Sequence, residues 1–300
     1  MAPDLILIPT YFRPEFLYLC LEHIANAEGG RDCHVIVLHD HHIGETFDQA
    51  AEVRDMAHVR DSFADCFSYF YIYERPPHGN YGPTLSIFEG YREALKTDAE
   101  RIYMIQDDVL VAPDFFRWNR TMQRKFPDCF CSIGWRNMRW IDNDSKSYLR
   151  SEVDYSSIGV CWPRQTLEEI VKHSCTEYYS NPITYIANHF PNNPVPPTQW
   201  TEEDGIIKRM LLQPGAHHTI LWPTKERCAH VGITGYHRTG VHFRGSMPYR
   251  IETLRAAVQS TATISSMTNE DYGAPDIHSL APYTPWSEEE LYEAQHFPNE

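Results

Sequence analysis

Through residues 5–126, short runs of apolar residues alternate with segments whose apolar positions recur every three or four residues. The runs at 5–8, 34–38, 69–73 and 102–105 have the length and β-branched or aromatic content of buried strands. Between them, Phe16, Leu19, Cys20 and Ile24 mark one face of a helix, and residues 45–53 and 84–95 read as two more helices. Strands that are apolar along their whole length, alternating with helices, predict a mostly parallel sheet covered on both faces. A second apolar run at 109–111 and a helix started by Pro113 follow. Beyond 126 the pattern loosens. Residues 129–133 and 218–222 read as strands, 156–162 as an apolar segment and 164–172 as a helix. The Pro/Asn-rich stretch 181–197 reads as a lid or acceptor-site loop. Thr201 then opens a helix carrying Ile206, Ile207, Met210 and Leu211, and after about residue 250 the chain turns polar, with a last helix signal at 287–291.

The polar residues just past the strand ends change this picture. Arg13, Asp40, His78 and the pair Asp107-Asp108 all lie there, and open α/β sheets bind ligands beyond the carboxyl ends of their strands. Two adjacent carboxylates at such a position repel unless a proton, a cation or a distant Arg or Lys relieves them. The nearest arginines in sequence are Arg101 and Arg117. A hard divalent cation that also holds a diphosphate is one relief; the plain alternative is that the two acids open a turn.

Composition narrows the classes. At 300 residues and 42% hydrophobic the chain can form one large α/β domain or two small ones. The start, Met-Ala-Pro-Asp, carries no basic region, and no apolar run approaches membrane length, so the expectation is a soluble, cytoplasmic protein with no membrane partner. Eight cysteines without a CxxC pair sit mostly in apolar runs, as small core residues of a reducing compartment do. A net charge of −15 opposes nonspecific binding to nucleic acid or an anionic membrane. Lys225, Arg227, Arg238, Arg244 and Arg250 form a cationic island within it, either a local groove or a solvated loop.

Taken in chain order, these segments resemble the GT-A class of nucleotide-sugar glycosyltransferases. The likeness is to the N-acetylglucosaminyltransferase I type, with features shared by family-2 enzymes. Ile8-Pro9-Thr10-Tyr11-Phe12-Arg13-Pro14 is similar to the opening strand and loop of the class. Val35-Ile36-Val37-Leu38-His39-Asp40 is similar to the strand whose last Asp reads uracil, and Pro77-His78-Gly79-Asn80-Tyr81 to the loop over the base. Gln106-Asp107-Asp108 with Ala112-Pro113-Asp114-Phe115-Phe116 matches the Glu-Asp-Asp form of the DxD motif, except that Gln106 replaces the first acid. Trp200-Thr201-Glu202-Glu203-Asp204 looks like the acidic pair that supplies the catalytic base, and Ala229-His230-Val231-Gly232 like a late loop near the diphosphate.

The resemblance implies a Rossmann-like GT-A domain over residues 1–245, with a nucleotide-binding half at 1–126, an acceptor half at 127–245 and an extension at 246–300. It implies a metal-dependent, inverting transfer from a UDP-sugar to a hydroxyl of a glycan, a protein or a hydroxylated nucleobase of viral DNA. Asp108 and His230 would hold Mn2+ or Mg2+; Thr10, Arg13, Asp40, His78, Asn80, Asp107 and Trp135 would bind the donor. Asp204 would be the general base, with Glu203 as its fallback. Thr-Glu-Glu-Asp is equally a good helix start, with Thr201 as its cap. Asn137 and Gly159 would shape the pocket. His39, His41 and His42 admit a lesser reading as a zinc site. The rivals are a nucleotidyltransferase, whose first loop would be Gly-rich, and an inactive nucleotide- or sugar-binding module.

Overall fold

The computed structural model describes residues 2–11, 13–40, 49–74, 82–135, 148–151, 155–215, 218–223, 226–231 and 246–259. The alternation seen in the sequence becomes β1 (Leu5–Tyr11), α1 (Pro14–Asn26), β2 (His34–Asp40), α2 (Gln49–Phe63), β3 (Tyr69–Glu74), α3 (Gly82–Leu95) and β4 (Arg101–Met104). Then come β5 (Val109–Val111), α4 (Phe115–Lys125), β6 (Cys131–Ile133), β7 (Tyr148–Ser151) and β8 (Val160–Pro163). The chain continues with α5 (Arg164–Val171), α6 (Thr176–Ser180), α7 (Pro182–His189), α8 (Glu203–Leu211), β9 (Ile220–Pro223), β10 (Cys228–His230) and α9 (Met247–Gln259).

Eight strands form one sheet in the order β3-β2-β1-β4-β8-β6-β9-β7. The first four are mutually parallel, as the helices between them require, because a parallel neighbour is reached only by a crossover. Past β4 the sheet becomes mixed: β8 runs antiparallel to both β4 and β6, and β7 antiparallel to β9. Side chains of β1 divide between the two faces, Ile6 and Ile8 packing with α1, α2, α4 and α9, Leu5 and Leu7 with α3, α5, α7 and α8. Tyr103 and Ile105 divide in the same way from Ile102 and Met104 on β4. Both faces are dry, which explains why these strands read as unbroken apolar runs. Each such side chain contributes about 1.5–3 kcal/mol by burial.

Differences from the sequence reading fall mostly in the second half. The stretch 181–197 is not all loop: Pro182–His189 is helix α7, started by Pro182 at its first turn and capped by Asn181 accepting from the Thr184 amide. Residues 247–259 form α9, whose Met247, Ile251, Leu254 and Val258 enter the same core as α1. Arg255 pairs with Glu22 and Arg250 with Asp55 across that contact. The helix signal at 287–291 lies outside the described residues. Among the described residues all eight cysteines are free and no helix is long and apolar enough to cross a membrane.

Candidate active site

The parallel register of β1 and β4 sets Leu7 beside Met104. Three residues further along each chain, Thr10 meets Asp107, and its hydroxyl donates to Asp107 Oδ2 at 2.7 Å. Arg13 then stands at the entry to α1, just ahead of Pro14. Its guanidinium spans both acids: Nη1 donates to Asp108 Oδ2 at 2.7 Å, Nε to Asp107 Oδ2 at 3.3 Å, and Nη2 to Asp107 Oδ1. Arg101, the nearest arginine in sequence, is held instead at the opposite end of β4 by Asp4, which Arg120 also grips. The repulsion expected between Asp107 and Asp108 is therefore relieved by a residue about a hundred positions away.

The two carboxylates differ in what surrounds them. Burial pushes Asp107 above the usual carboxylate range, only partly offset by Arg13, with the charge of Asp108 adding to the rise. Burial acts on Asp108 too, but His230 and Arg13 together more than offset it and hold that carboxyl well below the usual range. His230 arrives on a two-stranded ribbon: β10 pairs antiparallel with β5, and Val231 N–H donates to the Asp108 carbonyl at 2.8 Å. Its Nε2 lies 3.2 Å from Asp108 Oδ2. Gly134 and Gly159 let that ribbon pack down: a Cβ at Gly159, where φ is +61°, would fall 2.6 Å from Cys228 Sγ, and one at Gly134 would fall 2.4 Å from the Phe115 ring. The role of Gly159 is thus visible as backbone and packing.

Asp204 approaches from the other half of the chain, in the first turn of α8. Ser157 Oγ stands 3.4 Å from Asp204 Oδ2, and Gln106 Nε2 stands 3.4 Å from Ser157 Oγ, a loose polar chain that ends beside the acid pair. Asp204 Oδ1 is buried without a hydrogen-bond partner among the described residues. Glu203 goes the other way. It is 2% exposed and accepts from Tyr91 OH at 2.9 Å, which in turn accepts from Trp162 Nε1. Burial, with Asp204 beside it, pushes the Glu203 carboxyl well above the usual carboxylate range. The fallback role expected for Glu203 does not match that position. Thr201 is not the cap either: Glu202 occupies the N-cap and makes no side-chain cap bond.

Asp40 ends β2 in register with Tyr11 and is buried. Burial raises the Tyr11 hydroxyl, and the charges of Glu52 and Asp40 raise it further. His39 Nε2 lies 3.0 Å from Glu52 Oε1 inside the protein. Trp135, at the end of β6, bridges both cores, and its indole N–H is buried with no acceptor among the described residues. His41, His42, His78, Asn80 and Asn137 lie outside the described residues. Of the cationic island, Arg227 is fully buried against Asp114 and Arg250 pairs with Asp55; Lys225, Arg238 and Arg244 lie outside the described residues.

For a divalent cation the test is mixed. Among the described residues no three His, Cys, Asp or Glu side chains form a metal cluster. Asp108 Oδ2 and His230 Nε2 are an oxygen and nitrogen pair suited to Mn2+, with substrate oxygens left to complete the shell. Arg13, however, already sits on that oxygen. Sequence reasoning missed Ser157, the Tyr91–Glu203 pair and the inward turn of Glu203. The one available signal was that consecutive helix residues cannot share a face.

No protein-family model matches the sequence, and no curated protein sequence matches it. Among solved structures, S. aureus TarS aligns at 9% identity and a TM-score of 0.46, over 86% of this chain and 40% of that one. The chain thus spans less than half the length of that TarS chain. TarS 1-349 in complex with UDP-GlcNAc aligns at 10% identity and 0.46, over 98% of this chain and 70% of that one. The galactosyltransferase LgtC, in complex with donor and acceptor sugar analogs, aligns at 11% and 0.42, over 73% and 72%. At such values these likenesses carry no weight for what this chain binds.

Proposed function

We propose that this chain is an inverting GT-A glycosyltransferase that moves a sugar from a UDP-sugar to a hydroxyl acceptor. The observation that carries the proposal is the meeting of Thr10, Arg13, Asp107, Asp108 and His230 beyond the carboxyl ends of β1 and β4, with Asp204 on α8 linked toward them through Ser157 and Gln106. Opposed charges at a strand-end crevice suit an anionic ligand held through a cation. In this reading Asp40, one strand over, would accept from the uracil N3–H, and the Trp135 indole would donate to a donor oxygen. Arg13 offers a fixed planar cation to the diphosphate. When bound, Mn2+ or Mg2+ held by Asp108 and His230 would offset the charge that grows on the departing nucleoside diphosphate. Asp204 stays out of the ion-pair network around Asp107 and Asp108, and its free oxygen takes the proton from the acceptor hydroxyl as that hydroxyl attacks the anomeric carbon. Direct displacement of this kind inverts the configuration.

The acceptor class is weighed by charge. With Arg227 and Arg250 engaged in internal ion pairs and a net charge of −15, a glycan or protein hydroxyl is favoured over a DNA base. The decisive experiment offers a panel of UDP-sugars with Mn2+ and follows UDP release. Slow hydrolysis of one donor is expected, and Asp108→Asn should abolish it together with Mn2+-dependent UDP binding by calorimetry. Release of pyrophosphate from a nucleoside triphosphate, with every UDP-sugar left intact, would assign the site to nucleotidyl transfer instead.

A further inference from the structure

Trp200 is half exposed, and its backbone stands at φ +47°. A bulky residue in the left-handed region is strained and persists only where its surroundings force it. Here they do. Arg209, fully buried, donates to the Trp200 carbonyl at 2.6 Å and to the carbonyls of Pro196 and Gln199 before it. Tyr178 OH donates to the Thr201 carbonyl just after it at 2.5 Å. The Trp200 Cβ lies 2.8 Å from where a Cβ on Gly205 would stand. These hydrogen bonds all end on backbone carbonyls, so any residue at 200 would satisfy them, and Gly or Asn would do so without the strain. A tryptophan there costs stability and leaves a large ring at the surface. That ring meets Lys208, whose Nζ stands over it 4.5 Å from the centroid. Lys208 is one turn beyond Asp204 on α8, and residues four apart share a helix face. The indole therefore lies along the side of α8 that carries Asp204.

We propose that Trp200 is a stacking platform for a pyranose ring of the acceptor, and that the acceptor is a glycan. A pyranose presents a face of C–H bonds whose partial positive charge suits the negative face of an indole, while its hydroxyls point outward from the ring edge. A ring fixed in place before the ligand arrives loses little further freedom on binding. Lys208 holds one face of the indole and, at its edge, offers N–H donors to sugar oxygens; the sugar takes the other face. A protein acceptor that offers a lone Ser or Thr hydroxyl has no such face. A nucleobase would stack as well, but its phosphates meet a chain of net charge −15. That the sugar is an acceptor rests on the transferase reading above; that a sugar stacks rests on Trp200 and its setting.

The test applies the full chain, with and without UDP, to a printed array of glycans that also carries single-stranded DNA oligonucleotides. A subset of glycans sharing one terminal pyranose should be retained. Trp200→Asn, which accepts the left-handed backbone, should lower that retention by about tenfold, and Trp200→Phe, which keeps a ring, by about twofold. Because the strain leaves with the indole, Trp200→Asn should melt no lower than the unaltered chain. Saturation-transfer NMR of the unaltered chain with its best-retained glycan should label the C–H protons of one pyranose face above the others. If Trp200→Asn fails to fold, that labelling pattern decides, and even labelling of both faces overturns the platform. So does any of three array results: no glycan retained, DNA retained in place of glycans, or glycans retained undiminished by Trp200→Asn. Failure of UDP to bind the unaltered chain by calorimetry, with Trp200-dependent glycan retention intact, leaves the platform standing and sinks the transferase reading instead.

Discussion

Glu203 and Asp204 are consecutive, and their fates differ because a helix turns about 100° per residue. One side chain enters the core against Tyr91; the other reaches Ser157. That separation makes the choice of base testable. Asp204→Asn should leave UDP affinity within about twofold while lowering transfer by about 10²- to 10⁴-fold, as loss of a general base does. Glu203→Gln should keep transfer within about twofold, because an amide oxygen still accepts from Tyr91 OH. Steady-state transfer rates on both variants, paired with UDP calorimetry, decide between the two carboxylates. A collapse in Glu203→Gln with survival of Asp204→Asn would reverse the assignment. Sequence alone marked the acidic pair but not its division, since either residue can face the cleft until the helix start is fixed by tertiary contacts.

At the scale of elements, α8 and the segment before it are bound into one unit by Arg209. This arginine is fully buried and donates to four backbone carbonyls: Trp200 at 2.6 Å, Pro196 at 2.8 Å, Gly205 at 3.0 Å and Gln199. Gly205 admits the arrangement, because a Cβ there would fall 1.7 Å from the Trp200 carbonyl oxygen. The stretch expected to be a lid is therefore pinned, and with it the start of α8 that aims Asp204. Arg209→Met should cost about 2–4 kcal/mol in denaturant unfolding, since buried carbonyls lose a charged donor. It should also lower transfer more than UDP binding. Equal stability in the variant would mean that water replaces the guanidinium without loss. None of this was legible in the sequence, where Arg209 reads as a basic residue near a helix end. What was legible were β1 to β4 with α1 and α3, because strands buried on both faces and amphipathic helices leave strong periodic signals, whereas α2, expected at 45–53, runs Gln49–Phe63. Helices α6 and α7 are only five and eight residues long and β7 only four, so local pattern was too weak to reveal them. The acid pair was legible as a problem of charge; its solution, Arg13, depended on the register of β1 against β4.

Across the whole molecule, a half-buried histidine and a buried glutamate outside the transfer chemistry bend stability with pH in opposite directions. His173 lies against Phe190, with Nδ1 3.0 Å from Tyr185 OH, and burial, helped by His189, pushes it down to about 4. The unfolded chain takes up that proton below about pH 6.5. Stability contributed by neutral His173 is therefore present above pH 6.5 and is lost as pH falls from there toward 4. Glu203 behaves in the reverse sense: its raised folded value keeps a proton that the unfolded chain releases above about pH 4.3. Stability then declines as pH rises above that point, and the self-repulsion of a chain with a net charge of −15 deepens the decline. Unfolding by urea should thus show a maximum on the acid side of neutrality. His173→Phe, which keeps a ring against Phe190, should flatten the acid limb, and Glu203→Gln should raise the alkaline limb without shifting the acid one. A Glu203→Gln chain less stable than its parent at pH 8 would mean that the buried carboxyl is ionised there, and that Tyr91 and the α8 start stabilise a charge rather than a proton.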